Sequence, residues 1–93
     1  DVEIANKAFE EKAMKVTVAG KCCESGDLIG ENLPIQNAET GDILAVLATG
    51  AYNYSMSSNY NRILKPAVAM VKNGKSKIIV KRETLDDIIR NDI

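Results

Sequence analysis

Hydrophobic positions along the chain fall into short runs that are separated by turn-forming residues. The turn signals are Gly20, Gly26, Gly30, Pro34, Thr40-Gly41-Asp42, Gly50 and Asn73-Gly74. Short apolar runs bounded by glycine, proline and asparagine are typical of strands joined by tight connections. No internal repeat or low-complexity run breaks this pattern. The pattern predicts a small, mainly β architecture.

Four segments are predicted to form strands. Residues 16–19 are rich in β-branched side chains, which favour strands. Residues 43–49 form a continuous apolar run after Gly41-Asp42, which predicts a strand buried on both faces. Residues 67–71 and 76–81 flank Asn73-Gly74, and Asn-Gly between apolar runs is the strongest short signal for a hairpin.

The two ends of the chain differ in how clearly they indicate structure. Near the C-terminus, Thr84 followed by Asp87 predicts a capped start for a short helix with Leu85, Ile88 and Ile89 on one face. Near the N-terminus two patterns compete. Residues 2–5 are compatible with a strand followed by a charged turn, whereas a helix would place five apolar residues on one face: Ala5, Ala8, Phe9, Ala13 and Met14. The pattern alone slightly favours the helix.

Composition narrows the class of protein. A chain of 93 residues has room for one domain with a modest core. Its content of 45% apolar and 27% charged residues is ordinary for a soluble globular protein. The net charge of −1, with Lys and Arg spread along the chain, argues against nucleic-acid binding. The longest apolar stretch is about six residues against about 20 needed to span a bilayer, so no membrane partner is expected.

Cys22 and Cys23 are the only cysteines and are adjacent in sequence. Adjacent cysteines rarely pair because the bridge departs from normal disulfide geometry. Two sulfurs without any histidine also fall short of a closed zinc site, so no metal is expected. A pair of cysteines that is not expected to form a disulfide favours a reducing, cytoplasmic compartment.

Two polar segments could carry chemistry. Residues 20–27 come directly after a predicted strand and place a thiol, two carboxylates and a hydroxyl within the five residues 23–27, so they could shuttle protons or supply a nucleophile. From the residues alone, a polar turn with an inert cysteine is the better interpretation. Residues 50–61 hold all three tyrosines, whose hydroxyls could hold a phosphate or carboxylate or could simply mark a surface loop. Without histidine, no Ser-His-Asp or Cys-His constellation can form within this chain.

Together the two segments resemble the diaminopimelate decarboxylase family. That family carries Gly-x-x-Cys-Glu-Ser-x-Asp after a strand, which matches residues 20–27 with Cys23 as the motif cysteine and Cys22 as an ordinary neighbour. Its Gly-Asp strand and its Gly-Ala-Tyr-x-x-Ser-Met-x-Ser-x-Tyr-Asn motif match Gly41-Asp42 and residues 50–61. The Cys-Glu-Ser pattern favours diaminopimelate over ornithine decarboxylases, which usually have Asp after the Cys.

The resemblance implies a fold and a larger enzyme. It implies a small β-barrel or sandwich of the alanine racemase and ornithine decarboxylase C-terminal type, with a short C-terminal helix and a strand at residues 2–6. Residues 1–93 would be one C-terminal β-domain. The N-terminal (β/α)8 barrel, with the Schiff-base lysine for pyridoxal phosphate, would lie outside this chain, an expectation that the start at Asp1 without Met also favours.

The resemblance also implies roles for particular residues in a head-to-tail homodimer with shared active sites. Cys23 would be, or would neighbour, the acid that reprotonates the substrate carbon, and Glu24 would bind the distal ammonium. Ser25 and Asp27 would hold the loop in shape, and Tyr52 would touch the substrate, the cofactor or its phosphate. Two other hypotheses stay open: the β-domain of a different fold-type III amino-acid decarboxylase, and an independent small β-barrel that acts as a binding module.

Overall fold

The computed structural model describes all residues from Asp1 to Ile93, and most of the regular structure is strand. The strands are β1 Val2–Ile4, β2 Met14–Ala19, β3 Leu28–Ile35, β4 Leu44–Val46, β5 Val68–Lys72 and β6 Lys75–Val80. The helices are α1 Asn53–Met56 and α2 Leu85–Ile89, and short 3-10 turns cover Ala5–Lys7, Ser25–Asp27 and Tyr60–Arg62. The predicted mainly β fold with a short C-terminal helix is confirmed. Neither helix has the length and apolar character needed to cross a bilayer.

The strands form three antiparallel pairs, β1 with β4, β2 with β3, and β5 with β6. The chain divides into two compact units, Asp1–Tyr54 and Ser55–Ile93. The first unit contains the β1–β4 and β2–β3 pairs, and the second contains the β5–β6 pair and α2.

The core of the first unit forms around β1. Val2, Ile4 and Ile35 are buried, and Val2 and Ile4 share a face because alternate side chains of a strand point the same way. Three partly buried side chains pack against them: Met14, Val16 and Leu33. The prediction of a strand at the N-terminus is confirmed for residues 2–4, and the competing helix is wrong. Its apolar face is not buried, since the side chain of Phe9 is fully exposed.

β3 is the strand that the sequence pattern missed. Gly30 and Pro34 are turn signals in the sequence, yet both lie inside Leu28–Ile35. Val16 pairs with Leu33 and Val18 with Gly30, so two residues of β3 oppose one residue of β2 in a bulge. Asn32 lies in the bulge with a positive φ, a conformation that asparagine tolerates. Pro34 is accommodated because a two-stranded sheet leaves one edge of each strand without a partner.

The apolar run at residues 43–49 forms a shorter and more exposed strand than predicted. Only Leu44–Val46 is strand, and it pairs with β1 alone. The side chain of Ile43 is 65% exposed and that of Leu47 is 46% exposed. The prediction of burial on both faces is therefore wrong for this chain, because such burial needs packing layers on both sides of the sheet.

Gln36 supplies a buried polar contact that holds β1 against the end of β3. Its exposed fraction is 1%, and its Oε1 accepts the backbone N–H of Ile4 at 2.8 Å. A Gln36→Leu variant is expected to lose about 1–3 kcal/mol of unfolding free energy, because the buried N–H of Ile4 loses its acceptor. Urea unfolding would measure the change. Asn37→Leu, at the neighbouring exposed position, is the matched control, and equal stability of the two variants would contradict the assigned role.

The second unit confirms two local predictions. Asn73 and Gly74 connect β5 to β6, and both have a positive φ, as the central residues of a type I′ hairpin turn must. Thr84 caps α2 in a reciprocal arrangement with Asp87. The backbone N–H of Thr84 donates to Asp87 Oδ2 at 2.8 Å. The Thr84 hydroxyl accepts the N–H of Asp87 at 3.4 Å.

The β5–β6 hairpin carries a cluster of positive charge on one face. Lys72 pairs with Lys75 and Met70 with Lys77, so three lysines occupy one face next to the turn. No acidic residue occurs between Asp42 and Glu83, although the same stretch contains seven basic residues. Basic residues are therefore concentrated in the second half of the chain rather than evenly spread along it.

Candidate functional site

The Cys-Glu-Ser segment forms a closed loop between β2 and β3, which we call the Cys-Glu loop (residues 20–27). The backbone N–H of Gly20 donates to the carbonyl of Asp27 at 2.9 Å, which closes the loop at its base. The N–H of Asp27 donates to the carbonyl of Glu24 at 3.0 Å within a 3-10 turn. These bonds fix where the loop begins and ends, so its tip has a defined conformation.

The Asp27 carboxylate organises the interior of the loop. It accepts the backbone N–H of Cys22 at 2.5 Å. Burial raises the pKa of the Cys22 thiol, and a hydrogen bond to the Asp27 carboxylate raises it further. Gly20 permits this packing, because a Cβ there would lie 2.6 Å from the carboxylate atoms of Asp27.

The predicted site residues Cys23, Glu24 and Ser25 lie together at the exposed tip of this loop. Cys23 has a positive φ, a left-handed conformation that costs roughly 1–3 kcal/mol for a residue other than glycine. The Glu24 carboxylate lies over Gly26, where a Cβ would be 2.6 Å from its Oε2. The loop thus exposes a thiol and a carboxylate, which can contact a molecule that this chain does not itself enclose.

Tyr52, the remaining predicted site residue, lies downstream of the Cys-Glu loop, immediately before α1. The N–H of Asn53 donates to the carbonyl of Thr49 at 3.1 Å and starts this helical turn, which the sequence pattern did not predict. The side chains of Tyr52, Tyr54 and Tyr60 are all more than half exposed. Phenolic hydroxyls can donate hydrogen bonds to a phosphate, so the residue type at position 52 is compatible with the phosphate-bearing cofactor that the resemblance implies.

Asp42 is the centre of a polar cluster that the sequence analysis did not anticipate. Its Oδ1 accepts Asn6 Nδ2 at 2.8 Å, and its Oδ2 lies 2.9 Å from Lys7 Nζ and accepts the N–H of Glu39 at 2.9 Å. Asn6 Oδ1 in turn accepts the N–H of Ile43 at 2.9 Å. The cluster joins the start of the β4 segment to the turn after β1. No sequence signal links these positions, since Asn6 and Asp42 are 36 residues apart.

Acid is expected to weaken the fold through Asp42. Hydrogen bonds from Asn6 and Lys7 lower the pKa of Asp42 from 3.8 to about 2. Because the folded state has the lower pKa, this stabilisation is complete above about pH 4 and is lost as the pH falls from about 4 towards 2. Urea midpoints between about pH 2 and pH 6 should therefore fall less steeply in Asp42→Asn than in the parent protein. The exposed Glu11→Gln variant is the control, and a parental slope in Asp42→Asn would contradict the assignment.

Comparison with known proteins places this geometry in a family. Residues 2–50, just over half of the chain, match the model of the pyridoxal-dependent decarboxylase C-terminal sheet domain. The chain belongs to this family of decarboxylase sheet domains.

Comparison with individual proteins shows which decarboxylases the chain is similar to. The chain is 49% identical over 89 residues to diaminopimelate decarboxylase of Bacillus subtilis, and 50% identical over 91 residues to that of Synechocystis. The matches cover 96% and 98% of this chain but only 20% and 19% of those relatives, so the chain spans about one fifth of their length. A crystal structure of diaminopimelate decarboxylase from M. jannaschii in co-complex with L-lysine superposes over 100% of the chain and 21% of that protein, with a TM-score of 0.86 and 33% identity.

Proposed function

We propose that this chain is the C-terminal domain of an enzyme that decarboxylates meso-2,6-diaminopimelate to L-lysine and CO2 with pyridoxal phosphate. The observation that carries the proposal is the Cys-Glu loop, which exposes Cys23 and Glu24 at its tip in a chain about half identical to curated diaminopimelate decarboxylases. A lone cysteine in a polar turn would not by itself support the assignment of a decarboxylase. The combination of a thiol, a carboxylate and a family of pyridoxal-dependent decarboxylases favours this reaction.

The proposed roles follow from the chemistry of decarboxylation. Bound pyridoxal phosphate supplies an electron sink for the electron pair left when CO2 departs. The carbon that loses CO2 must then gain a proton, and Cys23 delivers it or positions the group that does. Glu24 binds the distal ammonium of the substrate through a charge-assisted hydrogen bond. Tyr52 contacts the cofactor phosphate or the substrate, and Ser25 and Asp27 keep the loop in shape.

The site is completed by parts outside this chain. Because Cys23 and Glu24 are exposed on their own domain, they are available to a pocket formed by another one. We assign that pocket to an N-terminal (β/α)8 barrel, which holds the Schiff-base lysine, in a second subunit of a head-to-tail homodimer. Two adjacent cysteines that form no disulfide favour a reducing compartment, the cytoplasm.

A substrate panel tests the proposal. The full-length protein, purified with pyridoxal phosphate, would be given meso-diaminopimelate, ornithine, arginine and lysine, and CO2 release would be measured. Diaminopimelate is expected to give the highest kcat/KM by a wide margin. Preference for another amino acid would replace diaminopimelate as the substrate, and no decarboxylation of any of them would refute an enzymatic role. Residues 1–93 alone are expected to be inactive.

A further inference from the structure

Cys22 and Cys23 place two thiols on consecutive residues of the Cys-Glu loop, and the proposed reaction uses only one of them. Cys23 is exposed and Cys22 is half-buried. Their Cα atoms are about 3.8 Å apart, as in any trans peptide. This is shorter than the roughly 4.4–6.8 Å found between disulfide-bonded residues, so a direct bond between the two sulfurs is disfavoured.

A soft atom bonded to both sulfurs fits the pair better than a disulfide does. A single atom bonded to both sulfurs holds them farther apart than the roughly 2.05 Å of a disulfide bond, so the ring that it closes between neighbouring residues is larger and less strained. The Asp27 carboxylate holds Cys22 in place through its backbone N–H, while the exposed Cys23 side chain can rotate towards it.

The number of side chains that can bind such an atom indicates whether it is a metal ion or another soft element. No group of three or more His, Cys, Asp or Glu side chains is placed to hold a metal ion, which argues against a closed four-ligand metal site. A trivalent arsenical that carries one organic substituent has two positions left for sulfur. Two thiols therefore complete its three bonds, and no further protein ligand is needed.

We propose that Cys22 and Cys23 form a dithiol site that captures monosubstituted trivalent arsenicals as a bidentate adduct. An organoarsenic oxide condenses with the two thiols. Two As–S bonds form, the two S–H bonds and the bonds from arsenic to oxygen break, and the two protons leave with the oxygen as one water molecule. Arsenic remains trivalent, so neither oxidant nor reductant is needed.

Capture at this site has a consequence that rests on the proposed function. If Cys23 handles the proton of the decarboxylation, an adduct that occupies its sulfur blocks turnover. The hydrogen bond from the Cys22 thiol to Asp27 must break as the adduct forms, which is a small loss beside two covalent bonds. Arsenicals would then inhibit the enzyme through a bidentate site, which an enzyme with a single cysteine in this loop could not form.

Phenylarsine oxide provides the test in the full-length protein. Trypsin cuts after Lys21 and next after Arg62, so one peptide carries both cysteines and only these two. Peptide mass spectrometry is expected to find one phenylarsenic group on this peptide with loss of both thiol hydrogens. A dithiol reagent should remove it, whereas an equal amount of a monothiol should not. The Cys22→Ser and Cys23→Ser variants should bind phenylarsine oxide about a hundredfold more weakly, because the second bond is intramolecular only in the parent.

The outcomes separate this inference from the proposed function. Absence of the adduct from the parent peptide, or equal capture by Cys22→Ser, would overturn the dithiol site. Iodoacetamide is expected to alkylate Cys23 in the Cys22→Ser variant. Such alkylation would show that the Cys23 thiol is still accessible, so that weak binding of phenylarsine oxide would not result from misfolding. An adduct that leaves decarboxylation intact would support the dithiol site and refute the role of Cys23 in turnover.

Discussion

Replacing Cys23 with alanine in the full-length enzyme is expected to lower kcat for meso-diaminopimelate by about 10²–10⁴-fold. General acid catalysis by a positioned side chain contributes about that factor, and alanine removes the exposed thiol at the tip of the Cys-Glu loop. Steady-state kinetics would measure the change. Because the proposed role of Cys23 is at the reacting carbon rather than in binding, KM should move much less than kcat.

Cys22→Ala is the matched control for this prediction. It removes the neighbouring thiol but keeps the backbone N–H that donates to Asp27, so the loop should hold its shape and most activity should remain. Equal losses in the two variants would mean that the loop tolerates neither change and that Cys23 has no special role. A pH profile adds a second readout, since loss of a proton donor should remove one limb of the dependence of kcat on pH.

Replacing Glu24 with glutamine is expected to lower kcat/KM for meso-diaminopimelate by about 10–100-fold, mostly through KM. The change keeps the shape of the side chain but removes the charge that we propose pairs with the distal ammonium, and hydrogen bonds to charged groups are stronger than neutral ones by about this factor. Discrimination against substrates without a distal amine should shrink by a similar factor. Kinetics with diaminopimelate and with an analogue that lacks the distal amine would measure both effects.

Glu31→Gln makes the same chemical change at another exposed position of the first unit and should leave both constants near their parental values. A loss confined to kcat in Glu24→Gln would assign Glu24 to the chemical step instead of substrate recognition. Unchanged discrimination would remove it from the substrate site.

The sequence predicted those parts of the fold that depend on neighbouring residues. The turn at Asn73-Gly74 and the cap at Thr84 need only a short segment to form, and both are present. β3 was missed because Gly30 and Pro34 usually end strands, and they are tolerated here by a bulge and an open edge that only the pairing with β2 creates. Likewise, the exposure of residues 43–49 depends on which layers are available to cover them.

The candidate site was predicted in composition but not in conformation. The motif around Cys23 selected the candidate side chains, and their roles stay predictions. It did not indicate that Cys23 adopts a left-handed conformation or that Asp27 binds the backbone of Cys22, because both depend on how the loop closes. The polar cluster around Asp42 could not be predicted from the sequence for a related reason, since Asn6, Lys7 and Asp42 come together only when β1 and β4 pair.

The lysine-bearing face of the β5–β6 hairpin bears on how the domain avoids aggregation. Each strand of this two-stranded sheet has one open edge, and four of its apolar side chains are more than half exposed: Met70, Val71, Ile78 and Ile79. Such an edge is a template for pairing with another chain, and lysines oppose that pairing because a second hairpin would bring like charges together. Lys72, Lys75 and Lys77 are therefore placed to oppose edge-to-edge pairing, as gatekeeper residues do. Like charges directly opposite each other also destabilise a strand pair, so the Lys72–Lys75 pair opposes association with a second hairpin at a small local cost in stability.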